Sequence, residues 1–119
     1  MSDLPIIDSE AIANLKELNP GDNGEFLREI VAIYAEDTPK RIADMKTFMA
    51  SGDVPSFTRA AHTIKGSSAN VGAARVKAVA ERLEHLSRRE SLPALAAQVA
   101  ECETEFLAAS EELRKISAT

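Results

Sequence analysis

Apolar positions along this chain recur at alternating spacings of three and four, the repeat of helices that each bury one face. The longest run is C-terminal: Leu92, Leu95, Val99, Cys102, Phe106, Ala109, Leu113 and Ile116 keep the alternation unbroken, with Ser91 placed to cap it. Val76, Val79, Leu83 and Leu86 predict a helix before it. Phe57, Ala61, Ile64 and Ser68 predict another, opened by Ser51-Gly52-Asp53 and Pro55 and reaching Asn70 or Val71 before Gly72. Upstream, Leu27, Ile30, Val31 and Tyr34 form a stripe that resumes at Ile42, Met45 and Met49. Pro39 lies between the two halves and predicts a kink or short break. Asp22 followed by Glu25 resembles a capping box for that helix. Ile12, Leu15 and Leu18, behind Asp8 or Ser9, predict a short first helix that Asn19-Pro20-Gly21 ends. Strand-like alternation is missing. The pattern therefore predicts an all-α fold, an antiparallel four-helix bundle with an additional short N-terminal helix, as one domain over residues 1–119.

Composition supports helices and narrows the function. Of 119 residues, 45% are hydrophobic but only 4% aromatic, which suits Ala- and Leu-rich helix packing better than a sandwich or barrel. A net charge of −5 argues against a general nucleic-acid binder. The single cysteine, Cys102, excludes an intramolecular disulfide and fits the apolar seam as a buried thiol. Met1-Ser2-Asp3-Leu4-Pro5 lacks the basic-then-apolar pattern of a secretory signal, and no apolar run approaches spanning length. A soluble, cytoplasmic monomer without membrane insertion is expected. The start at Met1 and the compact C-terminal helix favour a free-standing protein.

The chemistry concentrates in Ala61-His62-Thr63-Ile64-Lys65-Gly66-Ser67-Ser68-Ala69-Asn70-Val71-Gly72-Ala73. On a helix, Lys65 and Gly66 lie three and four residues from His62 and share its surface. That surface combines an imidazole, a cation and a missing side chain. Small and polar residues in a helix interior cost about 0.5–1 kcal/mol each relative to Ala, so their concentration calls for a reason beyond bundle formation. Residues 54–80 carry Arg59, Lys65, Arg75 and Lys77 and no carboxylate, a charge of +4 in an otherwise acidic chain. Lys65 can donate to a phosphoryl group, and Arg59, one turn before His62, is a candidate accessory cation. His62 sits about 100° around the helix from Ala61, at the core's edge, with one ring nitrogen reaching solvent. The other nitrogen then needs a fixing acceptor, for which Glu84 on the next helix is the candidate. Ser67 is read as a small residue bonding its own backbone, and His85 as a solvated side chain.

Competing chemistries fit less well. Lys65-Gly66-Ser67-Ser68 has the wrong order for a nucleotide-binding loop, and no strand precedes it. No cluster of carboxylates or histidines has metal-ligand spacing. A general-base enzyme would need a pocket and a partner group. A non-catalytic helical docking module, binding a protein partner without accepting phosphate, is the alternative to phosphoryl carriage.

The string from His62 to Ala73 closely resembles the histidine-containing phosphotransfer domain of multistep two-component phosphorelays, and Val79-Ala80-Glu81-Arg82-Leu83-Glu84 resembles that family's following helix. The resemblance implies that His62 accepts a phosphoryl group, that Lys65 supports it and that Gly66 keeps the approach open. It implies partners as well: response-regulator receiver domains and a hybrid sensor histidine kinase. The chain would need no cofactor of its own, with Mg²⁺ supplied on the receiver, and would be a carrier without kinase activity. Ala80 stands where relatives often carry Cys or a larger apolar residue. Glu84 stands where some carry Gln, and a carboxylate there would repel a phosphoryl group if it pointed that way.

Overall fold

Asp8 opens the first helix: its carboxylate accepts from the Glu10 N–H at 3.0 Å, and α1 runs Ser9–Leu18. The computed structural model describes residues 3–118, so Met1, Ser2 and Thr119, at the ends of the expected domain, lie outside the described residues. Four longer helices follow: α2 (Glu25–Ser51), α3 (Val54–Asn70), α4 (Ala74–Leu86) and α5 (Ala96–Ser117), with a short 3-10 turn at Leu92–Leu95. No strand occurs among the described residues. α3 packs between α2 and α4, and α5 closes the ring against both, giving the expected antiparallel bundle with α1 laid on α2. No helix among the described residues is long and apolar enough to cross a membrane.

Local chemistry sets the boundaries. Gly52, at φ +74°, ends α2 in the left-handed conformation that a side chain would oppose. Asp53 then caps α3 by accepting from the Ser56 N–H, with Pro55 in the first turn. Asp22 caps α2 differently from the expected box. Its two carboxylate oxygens take the N–H groups of Gly24 and Phe26 at 2.9 Å each. The helix starts at Glu25 itself, so Glu25 is too early to reach back as the box requires.

Three further details depart from the sequence pattern. α2 runs unbroken through Pro39, which lies on an exposed position of the helix, so the expected break does not occur. Ser91 does not cap with its side chain; the chain enters α5 through the 3-10 turn, in which the Ser91 carbonyl accepts from Ala94. Leu18, at the last position of α1, is 67% exposed instead of joining the stripe of Ile12 and Leu15 that packs on the core.

The predicted stripes otherwise meet in one core. Met45, Phe57, Ile64, Leu83, Leu95, Val99, Cys102 and Leu113 are buried together. Burial pushes the Cys102 thiol up to about 12, so it stays protonated and inert. Tyr34 packs its ring against Phe106 and shares a 2.8 Å hydrogen bond with the buried Ser68 hydroxyl, tying α2 to α3. Both polar tips are thereby satisfied inside the core.

Candidate functional site

The α3–α4 pair is held in register just below the histidine. The Ser87 hydroxyl donates to the Glu84 carbonyl at 2.9 Å, which leaves Thr58 as the donor in its 2.5 Å contact with Ser87 Oγ. Thr58 precedes His62 by one turn of α3, and Glu84 precedes Ser87 by three residues of α4. That anchor places His62 opposite Glu84.

Glu84 is almost fully buried at its carboxylate, with 8% of the side chain exposed, while His62 is 63% exposed. Oε2 of Glu84 lies 2.8 Å from Nδ1 of His62. An ionised carboxylate only accepts, so Nδ1 carries the proton and Nε2, the other ring nitrogen, keeps its lone pair. The carboxylate is ionised for a local reason. Lys65 Nζ lies 2.7 Å from Oε1 and holds the Glu84 carboxyl below its ordinary value, against the desolvation that would raise it; the His62 bond adds to the lowering. The Lys65 contact is an ion pair rather than an aligned hydrogen bond, since Oε1 has no donor in hydrogen-bonding geometry. The sequence-predicted acceptor is thus in place, and it points at the imidazole's inner nitrogen.

Gly66 completes the exposed face. It is helical and solvent-exposed, and a Cβ built there would meet nothing within 4 Å. Packing therefore does not require a glycine at that position. Gly72 is the opposite case. It adopts φ +74°, and a Cβ would fall 2.8 Å from Ala11 Cβ and 2.9 Å from the Asp8 carbonyl, while its own carbonyl takes the Asp8 N–H at 2.7 Å. Gly72 ends α3 and seats the N-terminal segment.

The remaining candidates divide. Ser67 donates to the Ile64 carbonyl at 3.3 Å, the backbone role read from its position. His85 is exposed, as expected. Arg59 lines a cleft of about 180 Å³ between α2 and α3 with Arg41, Asp44 and Thr63. Arg75 is committed elsewhere, donating from Nε to the Leu4 carbonyl at 2.8 Å. Sequence reasoning missed Arg88. Its Nη2 lies 3.8 Å from Glu84 Oε2, making it a third group on the same carboxylate. The only signal for it was the i, i+4 spacing from Glu84. Among the described residues no group of three or more His, Cys, Asp or Glu could hold a metal ion.

Comparison with known proteins places this arrangement. The chain is 31% identical over 85 residues to multistep phosphorelay regulator 1 of Schizosaccharomyces pombe, a match covering 71% of this chain and 29% of that protein. It is 31% identical over 71 residues to histidine-containing phosphotransfer protein 2 of Arabidopsis thaliana, covering 57% and 46%. The matches thus span less than half the length of either relative. Among solved structures, histidine-containing phosphotransfer protein B of Pseudomonas aeruginosa superposes with a TM-score of 0.86 at 24% identity, over 96% of both chains. The HPT domain of a hybrid sensor histidine kinase from Shewanella gives 0.71 at 16% identity, over 91% and 92%. Residues 29–115, which contain His62, Lys65, Gly66 and Glu84, match the Hpt domain family, and the chain belongs to that family.

Proposed function

We propose that this chain is a phosphorelay carrier that accepts a phosphoryl group on Nε2 of His62 from a receiver-domain aspartate and hands it to another receiver. The observation carrying this reading is the tie between Nδ1 and Glu84, which leaves the outer nitrogen nucleophilic on an exposed surface. In the accepting step, the Nε2 lone pair attacks phosphorus in line. The P–O bond of the phosphoaspartate breaks, and its electron pair stays on the departing carboxylate. Lys65, 24% exposed beside the ring, is within reach to pair with the incoming charge. The open position at Gly66 gives the receiver room to bring its aspartate over the imidazole.

Alignment and charge neutralisation dominate such a transfer, so the scaffold need contribute little else. On this reading Mg²⁺ belongs to the receiver, the chain has no kinase activity of its own, and the original phosphoryl source is a hybrid sensor kinase. A pulse–chase experiment tests the carrier role. Label from a phosphorylated receiver should enter the chain as an acid-labile, alkali-stable species and leave it when a second, unphosphorylated receiver is added. A chain that binds the receiver with no label entering would be a docking module instead.

A further inference from the structure

Glu84 touches the side of the imidazole opposite to the one that carries phosphorus, and group transfer makes a demand on that side. After the accepting step the ring bears phosphorus on Nε2 and a proton on Nδ1, an imidazolium attached to a dianionic phosphoryl group. In the handing-on step, an oxygen of the receiver's carboxylate attacks phosphorus, the P–Nε2 bond breaks, and the electron pair returns to Nε2. If Nδ1 has kept its proton, the leaving group is a neutral imidazole. If that proton has gone to water, the leaving group is an imidazolate, a far stronger base that leaves reluctantly.

We infer that Glu84 is a positioning residue that holds the Nδ1 proton on His62 through the whole cycle, so that the phosphorylated ring always expels neutral imidazole. This rests on His62 being the phosphoryl acceptor. The charged groups gathered at the ring's inner side are Lys65 from α3 and Glu84 and Arg88 from α4. Two are cations that would favour loss of a ring proton, and Glu84 is the anion set directly against Nδ1 at 2.8 Å. The carboxylate is also braced: Lys65 sits on Oε1, Arg88 approaches Oε2, and the Ser87–Thr58 contact fixes the helix turn that carries it. A carboxamide could accept the same hydrogen bond without the charge that retains the proton.

The test follows loss of the phosphohistidine by ³¹P NMR from pH 5 to 10, in wild type, Glu84→Gln and Glu84→Asp. Wild type should keep its fast phosphoryl loss to a pH about one unit or more above the point where Glu84→Gln slows, with Glu84→Asp restoring part of the difference. Near pH 8 the wild type should then lose phosphate about tenfold faster than Glu84→Gln. Superimposable pH profiles would overturn the inference while leaving the carrier role intact. If Glu84→Gln takes up no phosphoryl group, ¹H–¹⁵N spectra of the phosphorylated wild type decide directly. An Nδ1 still protonated at pH 8 supports the inference and a bare Nδ1 overturns it. A folded wild type that accumulates no phosphohistidine would overturn the carrier reading, and the inference with it.

Discussion

Lys65 Nζ lies 2.7 Å from Glu84 Oε1, so Lys65 is engaged by the same carboxylate that bonds the His62 imidazole. On the proposed reading, this one buried anion orients the nucleophile and holds a cation available to the phosphoryl group. Lys65→Ala should leave Glu84 short of a partner, lowering stability by about 1–2 kcal/mol and slowing phosphoryl uptake at least tenfold. Urea unfolding and receiver-to-chain transfer rates measure the two effects. Unchanged transfer would show that Lys65 is only structural.

Gly66 gives a prediction with opposite signs. Its position is helical, exposed and sterically empty, so Gly66→Ala should raise stability by about 0.5–1 kcal/mol. Gly66→Leu should also fold, yet its side chain would fill the space beside His62 and cut transfer at least tenfold. Thermal melts and transfer rates on the same samples separate the two properties. A Leu variant that transfers normally would refute the access role.

Gly72 should behave in reverse. A Cβ there meets Ala11 and the Asp8 carbonyl, and φ +74° disfavours any side chain, so Gly72→Ala should cost about 1–3 kcal/mol. The lost stability should loosen α1, read as faster amide exchange in residues 8–18, with the His62–Glu84 pair left in place. Equal exchange in the variant and wild type would contradict the seating role.

The Glu84 carboxyl titrates below its ordinary value in the folded chain, chiefly because of Lys65. Its ionised form therefore adds stability above the ordinary carboxylate range, and that contribution is lost as pH falls through the folded value. The stability gap between wild type and Glu84→Gln should be full near pH 7 and close as pH falls below the ordinary carboxylate range. Urea midpoints across that range measure it, and a constant gap would show that charge is not what Glu84 contributes.

The helices were legible because burial imposes a repeat on residues such as Phe57, Ala61 and Ile64, and because Gly52, Asp53 and Gly72 punctuate the chain through local backbone chemistry. Glu84 was legible as an acceptor because a fixed imidazole needs one. Its simultaneous hold on Lys65 and approach to Arg88 was not, since those contacts depend on how α3 and α4 are set against each other. Long cations were the least readable. Arg75 counted toward the positive segment around His62, but a flexible side chain goes where an acceptor waits, which for Arg75 is the Leu4 carbonyl. The break that Pro39 allowed does not occur: the proline lies on the exposed face of a continuous helix.

The most direct measurement is transfer from a labelled, phosphorylated receiver domain to the wild type and to His62→Gln, with helical content followed by circular dichroism. His62 is exposed but bonds the buried Glu84 carboxylate, so the substitution should cost no more than about 1–2 kcal/mol and leave the bundle folded. The account predicts acid-labile, alkali-stable label on the wild type and none on the folded variant. Equal labelling of both, or no labelling of a folded wild type by several receivers, would contradict it.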